Sequence, residues 1–271
     1  MDMSPLQPGW LVVDGRPMYH RHSTAAGNDA PSMVHVHGFG ISGTYLVPTA
    51  KRLASRFRTY VPDLPGMGRS MRPDQPLDLP GLARALISYC DAMGIEKTTF
   101  VGNSLGCPIL VEIATTFPER IDRLILVSPA GGVYNRPMWR AVWQMSIDGT
   151  REPLGLLPIA VRDYMRFGVL QGFKLFKAMI QYPTVERVKN LTEPTLVIAG
   201  HRDPLIDFTR VAVFSGLPHI DAVKVQGAHA LNFSRPEVTS ALIDAYMSDQ
   251  PLRTDDGVLS TVEILEIPDA A

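Results

Sequence analysis

Short β-branched or apolar runs alternate with helix-length segments through most of this chain. That rhythm restricts the fold more than any other feature, because it is the pattern of a sheet wound with crossover helices. Eight strands are expected: Trp10 to Val13, Met18 to His22, Met33 to His37, Thr59 to Asp63, Thr98 to Asn103, Leu124 to Ser128, Thr195 to Gly200 and Ala222 to Gln226. Only four residues, Asp14-Gly15-Arg16-Pro17, separate the first two, which suits an antiparallel hairpin. The later strands are separated by helical patterns at Thr44 to Ser55, Leu79 to Met93, Leu105 to Thr116, Asp207 to Ser215 and Pro236 to Ser248, the last with Ser234 as its candidate cap. The expected class is therefore α/β, with a mostly parallel eight-stranded sheet and flanking helices. At 271 residues and 45% hydrophobic content, the chain can fill one large core of this kind.

The rhythm breaks between Gly132 and Pro183. No convincing strand occurs there, while Trp, Phe, Tyr and Met recur along helical segments. This stretch is expected to be a helical cap inserted at 132–183 into a core formed by 1–131 and 184–271. Most of its aromatics, taken singly, suit an ordinary core. As a lid, however, it would offer Trp139, Trp143, Phe167 and Phe176 to a substrate. The tail after Leu252, acidic and ending in Pro-Asp-Ala-Ala, is expected to be peripheral or disordered.

The chemistry centres on Gly102-Asn103-Ser104-Leu105-Gly106, set between an apolar strand and a helical run. A serine on so sharp a turn needs small residues two positions to either side, and the following helix N-terminus can stabilise an anion beside it. A serine hydroxyl is a weak nucleophile without a base. His229, in a loop after the last strand, is the candidate base, because α/β sheets place reactive groups at strand C-termini. His20, His22, His35, His201 and His219 are less well placed and suit structural or surface roles. Asp203 follows the strand Thr195 to Ala199 and can orient the imidazole, with Asp207 as its nearest rival. The chain order Ser104, Asp203, His229 separates this arrangement from other serine triads.

With these motifs the chain resembles the α/β-hydrolase superfamily over nearly all of Trp10 to Ser248. His37-Gly38-Phe39-Gly40 resembles that family's oxyanion loop, which implies that the N–H groups of Phe39 and Leu105 form the oxyanion hole. Asp63-Leu64-Pro65-Gly66-Met67-Gly68-Arg69-Ser70 resembles its strand-end turn, and Gly227-Ala228-His229 its histidine motif. The helical insertion from Gly132 is similar in position to the family's cap. Cys107 departs from the second glycine of many relatives and is expected to be a small buried residue. Asn103 is similar to the residue beside the nucleophile in hydrolases that cleave carbon–carbon bonds of ring-fission products, although the loop at Gly38 lacks their proline.

The expected function is hydrolysis of a small or medium hydrophobic carboxylic ester or lactone through an acyl-enzyme, with no metal or organic cofactor. Three alternatives stay open: a carbon–carbon bond hydrolase acting on a vinylogous diketone, a triad-bearing small-molecule receptor, and an NAD(P)-dependent oxidoreductase. The last rests on Gly38-Phe39-Gly40-Ile41-Ser42-Gly43, a dinucleotide fingerprint with Asp63 about 20 residues on. A formal net charge of −1 gives no footprint for nucleic acid or an anionic membrane. Two cysteines, Cys90 and Cys107, build no disulfide framework, and a reduced cytoplasmic setting is expected. No apolar run reaches the roughly 20 residues of a membrane span, and Met1 to Trp10 lacks the pattern of a signal peptide. Oligomeric state is not legible in the sequence.

Overall fold

The alternating pattern resolves into a single nine-stranded sheet in the computed structural model, which describes residues 6–265 and, at 169–171, only the backbone. Its strands are β1 Gln7–Val13, β2 Arg16–Ser23, β3 Ser32–Val36, β4 Arg58–Pro62, β5 Thr98–Asn103, β6 Ile121–Val127, β7 Thr195–Gly200, β8 Ile220–Val225 and β9 Glu263–Ile264. They lie in the order β1-β2-β4-β3-β5-β6-β7-β8-β9. The antiparallel pairs are β1 with β2, β2 with β4, and β8 with β9. All other neighbours are parallel. Asp14 and Gly15, both at positive φ, form the two-residue turn that pairs Val13 with Arg16.

Every residue of β3, β5 and β7 is buried, as befits strands covered by helices on both faces. Successive residues point to opposite faces. Thus Phe100, Leu124, Leu126 and Val197 join one core with Leu82, Leu86, Ile109 and Leu110. Val101, Ile125, Val127 and Leu196 join the other with Leu242, Ile243 and Tyr246.

The helices on these faces are α1 Val47–Leu53, α2 Leu79–Ala92, α3 Gly106–Thr116, and, later, α8 Phe208–Ala212, α9 Leu231–Ser234 and α10 Pro236–Met247. Four more run between β6 and β7: α4 Met138–Gly149, α5 Leu157–Phe167, α6 Val169–Gln181 and α7 Thr184–Val188. Gly168 separates α5 from α6 at φ 88°, a conformation that a side chain would oppose.

Three expectations are corrected. The sheet has nine strands, not eight: β9 is two residues long, too short to show a pattern, and pairs with β8. Accordingly the tail packs on the sheet as far as Leu265, with Val262 and Leu265 buried, while the closing Pro-Asp-Ala-Ala lies outside the described residues. Ser234 does not cap α10. It ends α9, where its hydroxyl donates to the Ala230 carbonyl, and Arg235 precedes Pro236.

Candidate active site

The turn between β5 and α3 carries Ser104 at φ 56°, the left-handed region that L-residues other than glycine seldom occupy. Its backbone is held by Ser104 N–H donating to the Val127 carbonyl at 3.1 Å. The flanking glycines are steric necessities. A Cβ on Gly102 would lie 2.8 Å from the Gly106 carbonyl carbon, and one on Gly106 would lie 2.4 Å from the Val36 carbonyl oxygen. Leu105, wholly buried, leads into α3, whose first amides have no intrahelical acceptor.

The loops after β7 and β8 meet at the same sheet edge. A Cβ on Gly200 would touch the Ala228 carbonyl oxygen at 2.2 Å, and Arg202 N–H donates to the Gly227 carbonyl at 2.8 Å. This contact places His229 Nδ1 2.7 Å from Asp203 Oδ2, while Asp203 Oδ1 accepts the Leu205 N–H at 2.8 Å. Asp207, the rival carboxylate, instead caps α8 by accepting the Thr209 N–H.

One hydrogen-bonded chain ties three loops together. Gly38 N–H donates to the Tyr45 hydroxyl at 2.8 Å, which donates to Asn103 Oδ1 at 2.6 Å. The Asn103 amide donates in turn to the carbonyls of Val127 at 3.0 Å and His229 at 3.2 Å. The residue beside Ser104 is thus bonded directly to the backbone of the histidine.

Two acids unrecognised in the sequence approach from the α4 region. Asp148 Oδ1 accepts the His229 N–H at 3.1 Å, and Glu152 Oε1 accepts the Ala230 N–H at 2.6 Å. Burial raises the Asp148 carboxyl to about 6 and the Glu152 carboxyl to about 7. Burial by itself lowers the His229 imidazole. The Asp203 carboxylate, aided by Asp148 and Glu152, outweighs it and raises the imidazole to about 9. Replacing Asp148 with Asn and Glu152 with Gln keeps both acceptors and removes both charges. An NMR titration of His229 is expected to show a midpoint near 9 in the parent and a lower one in the double variant. An unchanged midpoint would remove these acids from the electrostatic account.

A cavity of about 530 Å³ opens over this edge, lined by Ser104, His229, Phe39, Tyr45 and Phe176 together with apolar side chains of α4 and α5. Asp203 lies behind His229, 3% exposed. Of the four expected substrate contacts, only Phe176 reaches the cavity. Trp139 and Trp143 face outward, 71% and 62% exposed, because α4 turns Ala141, Gln144 and Asp148 inward instead. Phe167 is buried behind Phe39, edge-on to its ring at 5.2 Å.

The remaining motif residues hold loops. His37 Nε2 accepts the Leu64 N–H, and Nδ1 bonds the Gly38 carbonyl. Cys107 is fully buried, as expected, with its thiol directed at the Gly102 and Val127 carbonyls. Asp63, the carboxylate a dinucleotide ribose would need, is fully buried. It accepts the Gly43 and Arg69 N–H groups and pairs with Arg21, which accounts for the fingerprint without a nucleotide.

The sheet order, and a serine turn and an aspartate-paired histidine that line one cavity, define a familiar class. The chain belongs to the alpha/beta hydrolase fold family, whose model matches residues 31–172, more than half of it. An uncharacterized protein of Mycobacterium tuberculosis is 37% identical over 132 residues, which make up 49% of this chain and 37% of that protein; the match thus spans little more than a third of that relative. A poly(3-hydroxyalkanoate) depolymerase of Ectopseudomonas oleovorans is 23% identical over 239 residues, covering 80% of this chain and 84% of the depolymerase. The crystal structure of the enol-lactonase from Burkholderia xenovorans shares the fold with a TM-score of 0.74 at 19% identity, covering 89% of this chain and 100% of that one.

Proposed function

We propose that this chain is a serine hydrolase that cleaves a small or medium hydrophobic carboxylic ester or lactone. The observation that carries the proposal is the convergence of Ser104, on its positive-φ turn, and the Asp203-paired His229 on one apolar cavity. Ser104 Oγ attacks the carbonyl carbon while His229 Nε2 takes its proton. Asp203 fixes the tautomer and stabilises the imidazolium. The N–H groups of Phe39 and Leu105 hold the oxyanion, with the α3 N-terminus adding its dipole. The imidazolium then protonates the departing alkoxide, leaving an acyl-Ser104. Water, deprotonated by His229, releases the acid.

In this mechanism residues 132–183 act as a cap on a core made of 1–131 and 184–271. The cavity wall supports an apolar substrate: Met145, Leu156, Ala160, Met179 and Leu205 line it. A poly(3-hydroxyalkanoate) depolymerase and an enol-lactonase are among the similar proteins, and the lactone that the second name prints is a cyclic ester. Asn103, which pointed toward carbon–carbon cleavage, has its oxygen and both amide hydrogens engaged by the protein itself. The feature is therefore explained by loop positioning.

The test is a panel of p-nitrophenyl esters of graded acyl length, five- and six-membered lactones and vinylogous diketones. Multiple turnovers on an ester or lactone are expected. Turnover confined to the diketones would transfer the site to carbon–carbon cleavage. Binding of these compounds with no turnover of any class would make it a receptor.

A further inference from the structure

The cavity mouth is rimmed by apolar side chains that face solvent. Val142, Leu154, Leu157 and Tyr164 line the cavity and are nonetheless 52%, 86%, 59% and 43% exposed. Around them the same helices continue outward. Trp139 and Trp143 stand one turn apart on α4, and Leu157, Val161 and Met165 form an i, i+4, i+8 row on α5. Phe173 is exposed on α6. Single exposed apolar residues need no explanation, but a row of this extent at the mouth of a site marks a docking surface.

Charge identifies what docks. Residues 132–183 carry seven basic and three acidic side chains, a surplus of four positive charges in a chain whose formal net charge is −1. The three acids all turn inward. Asp148 and Glu152 accept the amides of residues 229 and 230, and Asp163, fully buried, accepts the Ser42 N–H at 2.8 Å. Arg162 pairs with Asp163. The other six cations, Arg136, Arg140, Arg151, Arg166, Lys174 and Lys177, form no ion pair among the described residues. Exposed Trp139 and Trp143 on α4, with the exposed and unpaired Lys174 and Lys177 on α6 of the same segment, suit the boundary between an anionic headgroup layer and acyl chains.

We propose that the outer face of α4, α5 and α6 docks on an anionic lipid surface, with the cavity mouth turned toward the apolar layer. The whole-chain charge conceals this, because the cations collect on one segment and the excess acids lie elsewhere. The proposal concerns binding and does not depend on which bond the site cleaves.

The test is cosedimentation of the full chain with phosphatidylcholine vesicles, with and without phosphatidylglycerol, at low and high salt. Binding is expected to vesicles containing phosphatidylglycerol, with a blue shift of tryptophan emission, and to weaken in 0.5 M salt. Lys174→Glu with Lys177→Glu is expected to raise the apparent Kd about tenfold or more, two reversed charges near the surface. Trp139→Ser with Trp143→Ser is expected to lose the blue shift and most binding. Both variants should keep the parent melting temperature and, on a water-soluble ester, parent turnover. Failure of the parent to bind phosphatidylglycerol vesicles, or equal binding by parent and both variants, would overturn the proposal. A concentration-dependent dimer that the tryptophan variant abolishes, with no vesicle binding, would assign the face to a second copy of the chain.

Discussion

The Ser104→Ala protein is expected to fold with a melting temperature close to the parent's and to turn over the best ester of the panel on the order of 10⁴ to 10⁶ times more slowly. The two side chains share a Cβ, so the penalty of φ 56° is nearly the same for both, and the backbone bond from residue 104 to the Val127 carbonyl is untouched. Only the hydroxyl disappears. Since the cavity wall is otherwise intact, substrate should still bind, so the loss should fall on kcat with KM little changed. A folded variant retaining a tenth of parental kcat would refute the covalent mechanism. Activity lost together with folding would say nothing of the hydroxyl, so the melting curve is part of the measurement, and labelling by a fluorophosphonate should vanish in the same protein.

Asp203→Asn is expected to lower kcat by about 10⁴-fold, the scale seen when the orienting acid of a triad becomes an amide. Asp203 accepts from the imidazole on one oxygen and from the Leu205 amide on the other. An asparagine has one oxygen for these two donors. If that oxygen stays with Leu205, its NH₂ faces Nδ1 and favours the tautomer that cannot take a proton on Nε2. The pH profile supplies a second readout. An imidazole is a base only when neutral, so with the His229 pKa raised to about 9 the proposed mechanism requires the rate of acylation to rise with pH through that value. Removing the Asp203 charge leaves burial less opposed, and burial lowers an imidazole. The ascending limb should therefore move to lower pH while the plateau falls. A limb that stays in place, or a plateau that survives, would be incompatible with Asp203 as the partner of the base.

Legibility in the sequence followed the range of the forces involved. Thr98 to Asn103 and Thr195 to Gly200 could be placed to the residue because they are short β-branched or apolar runs, and the serine turn could be found because its glycines sit at fixed offsets from Ser104, although the clash that bars a side chain at Gly106 is with Val36 on β3. Asp148 and Glu152 could not be assigned in the same way, since each meets a backbone amide about 80 positions away that leaves no mark on their neighbours. Tyr45, bonded to Asn103 across 58 positions, was hidden for the same reason. Trp139 and Trp143 reverse the usual rule that large apolar residues lie inside. Helix α4 buries an alanine, a glutamine and an aspartate, so polarity alone misjudges which of its faces is inner.

The bonds from Asp148 and Glu152 to residues 229 and 230 also bear on how the protein can be re-engineered. Transplanting the 132–183 segment from another member of the family is a natural route to new selectivity, but here the segment is not an interchangeable module. A graft without acceptors at those two places would strand two amide hydrogens next to the imidazole, at a cost of about 1–3 kcal/mol for each one left unsatisfied. Donor segments should therefore be chosen for a carboxylate or amide at positions 148 and 152 before their pocket-facing residues are considered.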